Sequence, residues 1–166
     1  MTKVAMIGLG RMGGPMARHV IEAGFEVSLF DVSAASLEQF SESVTAVASS
    51  PADAARAADL ACIVVFDDAQ TIEVVCGSTG VLTTMQPGSV VTIHSTISPE
   101  TLRLLADAGT KVGVAVIDAG ISGGETGSNA GTLLTMVGGS AEAVALASPA
   151  LKAFSKEIIH AGDLGS

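Results

Sequence analysis

Residues 3–31 read KVAMIGLGRMGGPMARHVIEAGFEVSLFD, and this stretch decides the fold. An apolar run at residues 4–7 has the length of a buried strand. It meets Gly8-Leu9-Gly10-Arg11-Met12-Gly13, and Met12, Met16, Val20 and Ile21 then recur at helical spacing. Gly24 stops that helix, and residues 26–30 alternate as a second strand closed by the carboxylate of Asp31. A glycine pattern alone is weak, since glycines gather in any loop. Strand, loop, helix, strand and acid in this order form the setting in which the pattern carries chemistry.

Each glycine has a task in that setting. Gly8 permits the tight turn, Gly10 lets backbone approach a pyrophosphate, and Gly13 lets the helix pack on the strand. The free N–H groups and positive dipole end of the helix then face the phosphates. Asp31 lies 18 residues after Gly13, where a carboxylate reaches both hydroxyls of an adenosine ribose and repels a 2′-phosphate. The expected cofactor is therefore NAD rather than NADP. Arg11 reads equally as a phosphate contact or as a solvated loop arginine.

Composition bounds the rest. At 166 residues, 48% of them apolar, the chain suits one α/β domain. A formal net charge of −9 makes nucleic acid and anionic membrane surfaces poor partners. Cys62 and Cys76 lack metal-type spacing, no metal site is expected, and Cys62 reads as a buried core thiol. With no disulfide framework, no leader before the first strand and no apolar run of membrane length, the expectation is a cytoplasmic protein.

Beyond the opening unit, a polar helix is expected at 33–40, a strand at 44–48, and an Ala-rich helix opened by Ser49-Ser50-Pro51. Continuous apolar runs at 60–66 and 90–93 read as strands buried on both faces. Ser98-Pro99-Glu100 opens a helix to Ala108, and a strand at 112–117 ends at Asp118. A strand at 133–137, a helical stretch and residues 157–160 complete the series. The alternation predicts a Rossmann-type doubly wound, mostly parallel sheet in a single domain. Ligands of such sheets bind beyond the carboxyl ends of the strands, so Gly8 to Gly13, Asp31, residues 65–68, 94–96 and 118–124 should gather along one edge.

Those strand ends carry a resemblance. The opening GLGRMGGPMA, the segment Ser95-Thr96-Ile97-Ser98-Pro99, the loop Asp118-Ala119-Gly120-Ile121-Ser122-Gly123-Gly124 with Gly131-Thr132-Leu133, and Met136-Val137-Gly138-Gly139 are together similar to the β-hydroxyacid dehydrogenase family. That family includes 3-hydroxyisobutyrate dehydrogenase, tartronate semialdehyde reductase and 6-phosphogluconate dehydrogenase. The resemblance implies an oxidoreductase that passes hydride between a small β-hydroxy acid and NAD. It implies that Gly8, Leu9, Gly10, Arg11, Met12, Gly13 and Asp31 bind the cofactor. Val65, Phe66 and Gln70 would line its adenosine side, and Thr96 would lie near the nicotinamide. Ser122, Gly123 and Gly124 would grip the substrate, whereas a bare reading of the same residues is a flexible surface turn. The loops hold little positive charge, which favours a small unphosphorylated acid over 6-phosphogluconate.

Three departures stand out. Gly120 replaces the usual proline, which implies a looser turn. Val64-Val65-Phe66 replaces a Met-Leu-Pro segment, and His94 stands where Asp or Ser is commoner. A packing role for His94 is favoured over proton carriage. The family's catalytic lysine would lie beyond Ser166, and neither Lys152 nor Lys156 matches it. Residues 1–161 are thus expected to form the NAD-binding domain and residues 162–166 to begin a linker to a helical domain, which makes any homo-oligomer a property of a longer enzyme. The alternative is a non-catalytic NAD(H)-binding or redox-sensing module. Short-chain dehydrogenases need a tyrosine for proton transfer, and this chain has none. Imine-reducing relatives prefer a phosphorylated cofactor, against which Asp31 argues.

Overall fold

The computed structural model describes residues 2–40 and 46–166. Its strands are β1 (Lys3–Ile7), β2 (Glu26–Phe30), β3 (Ala46–Val47), β4 (Leu60–Ile63), β5 (Val90–Ile93), β6 (Ala115–Ser122), β7 (Leu133–Gly138) and β8 (Ser155–Gly162). The helices between them are α1 (Gly13–Glu22), α2 (Ala34–Glu38), α3 (Pro51–Ala55), α4 (Asp68–Cys76), α5 (Pro99–Lys111), α6 (Gly124–Ala130) and α7 (Ala141–Leu151). They form one sheet in the order β3-β2-β1-β4-β5-β6-β7-β8, parallel at every pair except β6–β7. The chain leaves β1 toward one edge and returns to build toward the other, so the order reverses at β1 and β4. This is the expected Rossmann-type architecture. Residues 44 and 45 of the strand expected at 44–48 lie outside the described residues.

Alternation along the central strands divides the core in two. Val4, Met6, Leu60 and Cys62 face Met16, Val20, Leu151 and Phe154 on one side. Ala5, Ile7, Ala61 and Ile63 face Ala54, Val75, Leu102 and Leu105 on the other. With helices on both faces, β1, β4 and β5 are buried almost throughout, which is why they read as unbroken apolar runs.

Several boundaries differ from the sequence reading, among them β8, which extends past residues 157–160 at both ends, and four differences bear on the cleft. The run 60–66 leaves the sheet after Ile63: Ser95 Oγ takes the Val65 N–H at 3.1 Å and Gln70 Oε1 takes that of Phe66 at 3.1 Å. Helix α5 passes Ala108 and runs to Lys111: Gly109 does not end it but serves packing, since a side chain there would lie 2.6 Å from the Val114 carbonyl oxygen. The expected strand at 112–117 begins only at Ala115, after a left-handed turn at Gly113 (φ +74°). It then runs through Asp118 to Ser122, because β7 pairs antiparallel with residues beyond the end of β5. Gly120 therefore sits in a regular ladder opposite Met136, which corrects the looser turn expected there.

Two helices were not expected. Asp67 caps α4 by accepting from Gln70 N–H at 2.8 Å, a D-x-x-Q capping signal present in the sequence. The other is α6, GETGSNA, whose glycines, serine and asparagine are poor helix formers. Tertiary contact holds it, since buried Ser128 donates its hydroxyl to the Met12 carbonyl at 2.7 Å.

Phe154 is fully buried and stacks edge-on against His94 with ring centroids 5.8 Å apart. Phe154→Ala should remove about 3–5 kcal/mol of stability. Urea unfolding followed by far-UV circular dichroism measures this, because the chain has neither Trp nor Tyr to report by fluorescence. A loss under about 1 kcal/mol would contradict the packing described.

Candidate functional site

The reversal of strand order opens a cleft of about 1400 Å³ along the carboxyl ends of the strands. Every residue read as a cofactor contact except Leu9 lines it: Gly8, Gly10, Arg11, Met12, Gly13, Asp31, Val65, Phe66, Gln70 and Thr96. Leu9 has a buried side chain, and its N–H donates to Asp31 Oδ2 at 2.6 Å. Ser122, Gly123 and Gly124 are exposed at the start of α6 and are not part of the cleft lining. Their neighbours Asp118, Gly120 and Ile121 do line it.

The loop is built by close approach. Gly8 has φ +91°, and a Cβ there would lie 2.3 Å from the Val64 carbonyl oxygen. A Cβ on Gly13 would lie 2.0 Å from the Gly8 carbonyl oxygen, so nothing larger than glycine lets α1 start against β1. Gly10 differs, with open space where a side chain would be. Helix α1 has neither a side-chain cap nor an acid in its first turn. By contrast α2, α3, α4, α5 and α7 are each capped by a Ser or Asp side chain. An uncapped helix end beside open backbone suits a pyrophosphate, which would take up the free N–H groups.

Asp31 ties the loop to the second strand. Its Oδ2 accepts from Leu9 and its Oδ1 from Ser33 N–H at 2.7 Å. Asp31 lines the cleft, and each oxygen keeps further lone-pair capacity, as ribose hydroxyl donors require. Val32 and Phe66, 93% and 86% exposed, present apolar surface on the same cleft. Arg11 is also exposed there, with Nη1 3.9 Å from Glu125 Oε2.

Farther along, β4 and β5 are stitched at their ends. Ser95 Oγ donates to the Val65 carbonyl at 2.7 Å and accepts from the Val65 N–H. His94 is buried and neutral. Its Nδ1 bonds the Ala119 carbonyl at 2.8 Å, which must accept, so Nδ1 carries the proton. Nε2 then accepts from the Thr92 hydroxyl at 3.1 Å. Burial pushes the imidazole down to about 4. Burial likewise pushes the Cys62 thiol up to about 12, leaving it unreactive. The Asp118 carboxylate accepts from Gly165 N–H at 2.7 Å, which holds the segment after β8 at the cleft. The sequence reading singled out neither Val32 nor the roles of Ser95 and Asp118. Ser95 and Asp118 entered that reading only as strand ends and as members of family-like segments, and Val32 lay just past the strand end it named.

Residues 3–162 match the family model of the NAD binding domain of 6-phosphogluconate dehydrogenase. The chain belongs to that family. It is 37% identical over 165 residues to 3-hydroxyisobutyrate dehydrogenase, mitochondrial, of Rattus norvegicus, covering 99% of this chain and 49% of that protein. It is 37% identical over 167 residues to the NAD-dependent L-serine dehydrogenase of Pseudomonas aeruginosa, covering 100% of this chain and 56% of the other. A solved structure of Mycobacterium tuberculosis 3-hydroxyisobutyrate dehydrogenase with L-serine superposes with a TM-score of 0.92 at 32% identity, over 99% of this chain and 56% of that one. The chain thus spans about half the length of these relatives. As an NAD-binding domain of the β-hydroxyacid dehydrogenase family, it uses NAD as its cofactor class. Among the described residues no helix is long and apolar enough to cross a membrane, and no cluster of His, Cys, Asp and Glu could hold a metal ion.

The neutral His94 has a consequence for pH. The unfolded imidazole titrates near 6.5 and the folded one near 4, so between those values the unfolded chain binds the extra proton. Stability is full above pH 6.5 and falls as pH drops toward 4, by about 3 kcal/mol in all. Tm measured between pH 4.5 and 7.5 should rise across this window in the parent and stay nearly flat in His94→Gln. Equal slopes in the two proteins would refute the neutral, buried assignment.

Proposed function

We propose that the cleft binds NAD(H) through the Gly8 to Gly13 loop and Asp31, and serves hydride exchange with a small β-hydroxy acid. The observation that carries this reading is the Asp31 carboxylate, bonded to Leu9 N–H beside the uncapped end of α1. A carboxylate there accepts from ribose hydroxyls and repels a 2′-phosphate, which supports NAD over NADP. Gly10 leaves room for the pyrophosphate, Val32 and Phe66 offer apolar faces to the adenine, and Thr96 lies farther along toward the nicotinamide end. When bound, NAD supplies the hydride acceptor.

The chain's own residues position and orient. Ser122, Gly123 and Gly124 remain our candidates for substrate binding from the rim: Gly123 and Gly124 hold left-handed backbone at φ +129° and +59°, and Ser122 adds a hydroxyl. The names of the relatives point to 3-hydroxyisobutyrate or L-serine as the kind of acid. The two free cysteines suit a reducing compartment, so we keep the cytoplasm as the proposed location.

Alcohol oxidation also needs an acceptor for the hydroxyl proton. Among the described residues no lysine lines the cleft, and both ring nitrogens of His94 are engaged. That observation favours a second reading, in which these 166 residues act as an NAD(H)-binding module and catalysis needs a proton carrier from elsewhere. We expect binding without appreciable turnover of either acid. Steady dehydrogenase activity from this chain would overturn that part.

NADH and NADPH titrations test the cofactor assignment. We expect NADH to bind at least about tenfold tighter, a difference of about 1.4 kcal/mol, and Asp31→Ser to erase most of the gap. Equal affinities in the parent would remove Asp31 from the site.

A further inference from the structure

Helix α6 turns one defined face toward the glycine loop. Ser128, fully buried, donates its hydroxyl to the Met12 carbonyl at 2.7 Å, and the Asn129 carbonyl lies 3.1 Å from His19 Nε2. Glu125 stands one helical turn before both and so shares that face. Its Oε2 lies 3.9 Å from Arg11 Nη1. A helix dipole favours an acid in the first turn wherever the side chain points. The facing toward Arg11 has another source, the buried anchor at Ser128.

Arg11 is the one cationic side chain lining the cleft among the described residues. It belongs to the loop that leads into the uncapped start of α1, where a pyrophosphate would meet the free N–H groups. Glu125 is not part of the cleft lining and reaches Arg11 from the rim. Both side chains are exposed, and an exposed ion pair is weak enough for another anion to exchange into it. A guanidinium offers phosphate the same forked set of donors that it offers a carboxylate.

We propose that Glu125 is an internal competitor that sets the affinity of the cleft for a diphosphate: its carboxylate holds the guanidinium that the pyrophosphate of a dinucleotide would otherwise take. This rests on the reading of the cleft as an NAD(H) site. Binding then requires Arg11 to leave Glu125, and the released carboxylate adds to the negative field of a chain of net charge −9. Both effects oppose the ligand. Removing the charge at position 125 therefore tightens binding, the reverse of what loss of a ligand contact would do.

The test uses ADP-ribose and NADH on the 166-residue chain, since the two probes share the pyrophosphate. Glu125→Gln keeps the size of an exposed side chain and removes its charge, so Tm should stay within about 3 °C of the parent. Calorimetry with ADP-ribose and fluorescence titration with NADH should both show binding about two- to fivefold tighter at low ionic strength. At about 0.5 M salt the gain should shrink, because exposed charges are screened. Arg11→Gln should weaken both probes, and in that background Glu125→Gln should alter neither by more than about 1.5-fold. Unchanged or weaker binding in Glu125→Gln would overturn the proposal. So would an equal gain in the Arg11→Gln background, the mark of a general charge effect rather than a contest for one guanidinium. If the parent binds ADP-ribose in an Asp31-dependent way and Glu125→Gln leaves that affinity unchanged, this inference alone fails. If neither the parent nor the variant binds either probe, the cofactor reading fails with it.

Discussion

The contact between the start of α1 and the end of β1 is the constraint on which the rest of the molecule depends. With a Cβ position on Gly13 only 2.0 Å from the Gly8 carbonyl oxygen, the helix begins in direct backbone contact with the strand it follows. That closeness turns the chain sharply enough to aim the first N–H groups of α1 along the sheet edge. It also places the loop where Asp31, at the end of the neighbouring strand, can bond Leu9. A methyl group at position 13 would push helix from strand and open the bond that aligns the carboxylate.

From that point the sheet edge is held by neutral polar pins rather than by ion pairs. Ser95 joins β4 to β5, and His94 joins β5 to β6 just where their backbone ladder ends. Ser128 joins α6 to the glycine loop. A neutral hydrogen bond keeps its geometry without desolvating a charge, which suits the anionic cofactor proposed for this cleft in a chain of net charge −9. Among the described residues the one cationic side chain on the cleft is Arg11, exposed and 3.9 Å from Glu125, which in the proposed reading leaves backbone N–H groups as the principal phosphate donors.

Much of this was legible in advance because it is local. Strand, loop, helix, strand and acid fall within residues 3–31, where an unbroken apolar run gives way to helical spacing and then to alternation. The buried runs at β4 and β5 were legible for the same reason. The end of β4 was not, because Val64-Val65-Phe66 continues the apolar pattern while the backbone turns away to bond Ser95 and Gln70. Helix α6 was hidden by its composition, since its stability lies in the seam with α1. The capping signal at Asp67 and Gln70 was present and stood unread beside the more prominent strand end.

The sequence by itself determined the opening βαβ unit, the glycine loop and the acid that follows it, because these arise from steric rules acting over a few residues. Only the tertiary structure decided that β7 runs antiparallel to β6, that His94 is held neutral through Nδ1, and that Gly120 lies in a strand facing the cleft. These facts depend on which distant segments lie side by side. Parallel and antiparallel neighbours present the same apolar pattern to one another, so the register between β6 and β7 exists only once the chain has folded.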